Sequence, residues 1–267
     1  MVTYNNATNN YATSRIIVSS TPGLGNYTTI QAAINAATSD SVIFILPGTY
    51  TEDLTLKSGA NLEAFAGVGT YADANVIIVG KHIDNGVALV CSFSNIQFVT
   101  NSDYVFSLTA DSSLQFIDCN FRITNHNGFA MNSAFANMFL YGCTATITSN
   151  GISLWSIASG SLWIYSMQVI NEATTTPSSQ TGGGIYLNSF KGDMPISASG
   201  GGLTISYSDI NTSVRNSVCV ALTGTAQAYI SYTLLNSGTA SCVTVGAGAT
   251  LNYDYLKLTS SNTYQIG

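Results

Sequence analysis

The stretch LQFIDCNFRITN, Leu114 to Asn125, decides the fold because the chain keeps rewriting it. MFLYGCTATITS follows from Met138, LWIYSMQVIN from Leu162, LTISYSDINTS from Leu203, AYISYTLLNSG from Ala228 and LNYDYLKLTSS from Leu251. Successive starts lie 24, 24, 41, 25 and 23 residues apart. Such a period is the mark of a β-solenoid, in which each coil buries its apolar side on the next. Asp118, Cys119 and Arg122 become Gly142, Cys143 and Thr146 one copy later, so they form no chemical motif. The apolar alternation persists: Leu114, Phe116 and Phe121 point inward, then Leu140 and Ala145, then Ile164 and Val169.

A second apolar piece stands about ten residues upstream of each full copy, as in YVFSL at Tyr104, GFAMN at Gly128 and GISLW at Gly151. Each coil therefore reads as strand, small-residue turn, strand, bend and short strand. At about 3.3 Å per residue, one period holds three short strands with their turns. The expected fold is all-β: a single-stranded, right-handed parallel β-helix of about 24 residues per coil.

The 41-residue interval reads as an insertion loop over about 171–202, with the strand GGIYL retained inside it. Gly triplets and low complexity mark it as a place to look for binding. Residues 1–14 read as an arm or tether, and 15–267 as the β-helix domain. Ile30, Ala33, Ile34 and Ala37 lie at helical spacing behind Thr28 and Thr29, so a helix over about 29–37 is expected to cap the first coil. After Leu258 only a short polar tail follows, which reads as an uncapped end: either a further segment belongs there or another subunit stacks on it.

Of the 267 residues only 7% are charged, and the net charge is −6. Arg15, Arg122 and Arg215 are scattered, so the chain lacks the basic footprint that nucleic acid requires. MVTYNNATNNYATSR has neither the charged nor the apolar segment of a secretory signal, and no apolar run is long enough for membrane insertion. Cys91, Cys119, Cys143, Cys219 and Cys242 show no zinc spacing. They read as buried thiols, with a Cys119–Cys143 disulfide as the alternative.

YTTIQAAINAA followed by VIFILPGTYTEDLTLKSGANL, Tyr27 to Leu62, resembles the opening coils of right-handed parallel β-helix proteins of the pectin-lyase-like superfamily. Gly48, Tyr50 and Glu52 match the G-x-Y-x-E element of pectin methylesterases. The QDT, DFIFG and GRPW motifs of that family have no counterpart here, nor do the NTD, DD and GHG motifs of polygalacturonases. Nor do clustered carboxylates stand with an Arg or Lys, as in pectate lyases. The later coils are similar to non-catalytic β-helices of phage tail fibres, viral surface proteins and bacterial adhesins. The resemblance implies a non-enzymatic protein of a virion, an extracellular fibre or a cell surface. It implies no cofactor.

Single residues add little chemistry. Glu52 and Asp53 are adjacent carboxylates that would need Glu63 or Asp73 as a third partner, and they read as a solvated turn. His82 and His126 read as polar turn residues. Asp103, Asp111 and Asp118 share one coil but fall short of the six or more oxygens that calcium takes. Sequons at Asn6, Asn26 and Asn211 decide nothing in an Asn/Thr-rich chain.

The outward positions say more. If Leu114 and Phe116 face in, Gln115 and Ile117 face out, followed by Phe139 and Tyr141, Trp163 and Tyr165, then Thr204 and Ser206. Such a stripe wants cover. The 171–202 loop could fold over it, a second copy could dock there, or it could stack sugar rings. Trp155 joins Trp163 as a possible glycan contact. The expected function is a structural or adhesive component of a virion, phage tail or cell-surface fibre, self-associating as a trimer or an end-to-end filament. The alternative is a β-helix that binds or degrades polysaccharide, including cell-surface glycan.

Overall fold

The computed structural model describes residues 15–65, 76–100, 104–173, 177–215 and 217–260. Over them the chain is an all-β parallel solenoid of about ten turns, with about 23 residues per coil. Three faces run along its axis. Face A holds strands such as Ser113–Ile117 and Asn137–Tyr141, and face B holds Asn120–Ile123 and Thr144–Ile147. Face C carries the short third strands, among them Phe129–Met131 and Trp155–Ile157. Leu114 pairs with Met138 and Met138 with Leu162, so equivalent residues stand directly above one another.

The interior follows the alternation. Leu114, Phe116, Phe121, Leu140, Ala145, Ile164 and Val169 are all buried. Phe93 stacks on Phe116 at 4.9 Å, and Phe98 on Phe121 at 5.7 Å, with Phe106 and Phe129 closing the core from face C. Full burial of such side chains contributes about 1.5–3 kcal/mol each.

The interval read as an insertion loop is a coil. Ser178–Gln180 lies on face C, Gly184–Gly192 spans faces A and B, and Ile196–Ala198 returns to face C. Gly184 pairs with Ser161 below it and Gly202 above it. The coil from Gly184 to Gly202 takes only 18 residues, because its turns are cut to a minimum. Ser161–Asn171 and Gly184–Gly192 pass through the A–B corner as continuous strands and join both faces into one 19-stranded sheet.

The cap forms as expected, as a helix over Ile30–Ala36 that buries Ile30, Ala33 and Ile34. Thr29 Oγ1 accepts from the Ala32 N–H. Glu52 accepts from the N–H groups of Ile30 and Gln31 at 2.9 and 3.0 Å, a carboxylate set on the positive helix end. Lys57 donates to the Asn35 and Ala37 carbonyls at the other end. Asp53 accepts from the Lys81 N–H at 2.8 Å. The adjacent carboxylates are thus fastenings to the cap and between coils. The arm 1–14, Asn6, Asp73 and Asp103 lie outside the described residues.

Candidate functional site

Face A turns two aromatic columns outward. Phe139 stacks on Trp163 at 6.2 Å, and Trp163 on Tyr186 at 3.7 Å with 7° between the planes. Beside them Tyr141 stacks on Tyr165 at 5.1 Å, above Ile117. Pairing sets this order, since the parallel register superposes Phe139, Trp163 and Tyr186. Tyr186 was hidden inside the supposed loop. With 177–202 built into the stack, those residues do not fold over the stripe.

Below Phe139 and Tyr141 the same face becomes polar. Asn61, Ser92 and Gln115 take the position that Phe139 holds one coil on. A groove of about 350 Å³ opens there, walled by Phe139 and Tyr141. Asn61 Oδ1 accepts from both the N–H and the hydroxyl of Ser92 at 2.9 Å, which holds the amide in place.

Trp155 does not belong to this surface. It is fully buried on face C, where it meets Phe190 at 6.3 Å, and among the described residues its indole N–H has no partner. His82 is no turn residue either. It is fully buried on face C between Phe98 and Phe106, and among the described residues neither ring nitrogen is hydrogen-bonded. Burial pushes its pKa down to about 3, against a smaller upward pull from Asp53. Two residues on, the Asp84 carboxylate is also buried but fully engaged. It accepts from the N–H groups of Gly86, Thr109 and Ala110 and from the Thr109 hydroxyl. Burial opposes ionisation, yet these bonds together hold its pKa below the usual carboxylate value. His126 is exposed, as a turn residue should be.

A second surface feature has no counterpart in the sequence reading. Faces A and B meet at a corner whose residue is left-handed in coil after coil: Asn95, Asp118, Gly142, Ser166, Ser189, Tyr207, Tyr232 and Tyr255, with φ from 48° to 62°. Gly142 is constrained twice, since a Cβ there would lie 2.4 Å from Asp118 Oδ1. The first five corners are small or polar, and the buried residue after each is Ile96, Cys119, Cys143, Met167 or Phe190. At Tyr207 and Tyr232 the order inverts: the aromatic ring is outside, and the buried residue is Ser208 or Thr233. Their hydroxyls donate to the Ser206 and Ser231 carbonyls at 2.8 Å. The tyrosines stack on one another and on Tyr255 at 5.0 and 4.7 Å, and stay 61, 49 and 70% exposed. Tyr229, also exposed, follows Thr204 on face A, so the outward residues there do not remain polar.

All five cysteines are free and buried, which leaves no Cys119–Cys143 disulfide. Burial raises the Cys119 and Cys143 thiols to about 12 and 11. Among the described residues no three His, Cys, Asp or Glu side chains form a metal set, and no helix is long and apolar enough to cross a membrane.

Comparison with protein-family models, curated proteins and solved structures finds no match in any of the three.

Proposed function

We propose that this chain is a non-enzymatic structural and adhesive module of a virion, phage tail or cell-surface fibre, which self-associates through its tyrosine corner. The inversion of that corner carries the reading. A bulky residue at positive φ costs about 1–3 kcal/mol. Five coils make the same bend with residues that suit it better. Folding therefore has no need of Tyr207 and Tyr232 there. A ridge of stacked, exposed, uncharged rings is what a second copy of the chain could bury.

The carboxylates bear on the same reading. Glu52 and Asp53 are consumed by backbone N–H groups, and Asp84 is sealed inside. Light scattering and electron microscopy of the full chain test the proposal. A concentration-dependent oligomer that dissociates in Tyr232→Asn supports it. A monomer at every concentration overturns it, as does release of new reducing ends from a polysaccharide.

A further inference from the structure

The groove on face A has its own logic, and it lies several coils away from the tyrosine corner. Phe139 and Tyr141 are the first members of their columns. One face of each ring is covered, by Trp163 and Tyr165 respectively. The other face is turned toward the Gln115 and Ile117 rung, where the groove opens. Amides and hydroxyls line it, from Asn61, Ser92, Ser113 and Gln115, together with Cys91 and the exposed Val90. Among the described residues no hydrogen bond engages the Gln115 amide or the Ser113 hydroxyl. The space is at the lower end of the range for small-ligand sites.

We infer that this groove binds a neutral glycan, with one pyranose ring continuing the aromatic column at Phe139. A pyranose has a flat C–H face that suits an open aromatic face, and a rim of hydroxyls that both donate and accept. Gln115 offers two N–H donors and a carbonyl acceptor in one plane, and Ser113 offers a hydroxyl that can do either. A purely aromatic ligand would leave those groups unpaired, which is costly once water is excluded. Among the described residues no charged side chain lines the groove, and Glu63 stands on the same outward face two residues beyond Asn61. An acidic sugar would meet that carboxylate as a like charge. The selectivity is thus for uncharged sugars. This inference rests on the adhesive reading above and names its ligand.

The test is calorimetric titration of the full chain with neutral hexasaccharides of glucose, mannose, galactose and N-acetylglucosamine, and with an oligogalacturonate. At least one neutral sugar should bind, and Phe139→Ala and Gln115→Ala should each weaken it about tenfold or more. Both residues face outward, so melting temperatures should stay close to the parent's. Tyr229→Ala, in a later coil of the same face, should leave affinity unchanged. Silence toward every neutral sugar overturns the inference, as does preference for the oligogalacturonate or undiminished binding by a folded Phe139→Ala. Oligomer size measured on the same samples separates the two ideas. Loss of sugar binding with intact assembly removes only the ligand, whereas a chain that never assembles removes the proposed function.

Discussion

The early and late coils make the same bend with opposite chemistry. From Asn95 to Ser189 the A–B corner is polar outside and apolar inside; at Tyr207 and Tyr232 it is aromatic outside and hydroxylic inside. The backbone tolerates both because the left-handed bend is fixed by the strands it joins, and its carbonyls can be met by Ser208 and Thr233. Early coils also hold most of the stacked phenylalanines and the buried polar pair His82 and Asp84. At this corner the early coils turn their apolar side chain inward, and the late coils turn an aromatic ring to what lies outside.

The comparison can be broken first at the phenylalanine stack. Phe116→Ala should cost about 3–5 kcal/mol, read as a lower urea midpoint, because the rings of Phe93, Phe98, Phe106, Phe121 and Phe129 cannot collapse together into the gap. Acid should be a probe of comparable strength. His82 has a folded pKa of about 3 against 6.5 when unfolded, so the unfolded chain takes up the extra proton. Its contribution is complete above pH 6.5, falls as pH drops, and levels off near pH 3. The loss amounts to about 4–5 kcal/mol over that window. Asp84, with its pKa lowered, acts the same way, losing its stabilisation below the ordinary carboxylate range. His82→Phe, matching Phe106 in the next coil, should flatten the acid slope of the melting temperature.

Smaller effects sharpen the contrast. Glu52→Ala frees two N–H groups at the helix start and should cost about 1–2 kcal/mol. Faster amide exchange over Ile30–Ala36 would register it. Tyr232→Asn trades two stacking contacts for relief of strain at φ 48° and should change stability by no more than about 1 kcal/mol. Thermal melts check that figure, and a large loss there would make the corner part of the core's economy after all.

Much of the fold was legible because one coil repeats and each strand alternates. LQFIDCNFRITN and its copies expose the inward rows, and the cap announces itself through Thr29 and the spacing of Ile30, Ala33 and Ile34. What escaped was too short or too mixed to alternate. Ser178–Gln180 and Ile196–Ala198 are three residues each among glycines and serines, so a complete coil looked like a loop. His82–Ile83 is a two-residue strand, and only its pairing with Phe106 shows that the imidazole points inward. Trp155 was drawn to the surface by its chemistry, whereas its row with Phe129 places it inside. The tyrosine corner did leave a signal: aligning the copies sets Tyr207, Tyr232 and Tyr255 under Asp118, Gly142 and Ser166, a column of residues that suit a left-handed bend.

The 18-residue coil has a mechanical consequence. Pulled apart one coil at a time, a stack whose contacts join nearest neighbours should lengthen in steps set by the length of each coil. A coil of about 23 residues releases about 75–80 Å of chain at full extension. The turn between Gly184 and Gly202 releases about 60 Å, a short step part-way along the trace, and the 19-residue turn between Ser41 and Ala60 gives a second of about 65 Å near the N-terminal end. In a single-molecule pulling record those two steps are built-in ruler marks, and whether the first of them comes early or part-way along the trace would reveal from which end the rod unwinds.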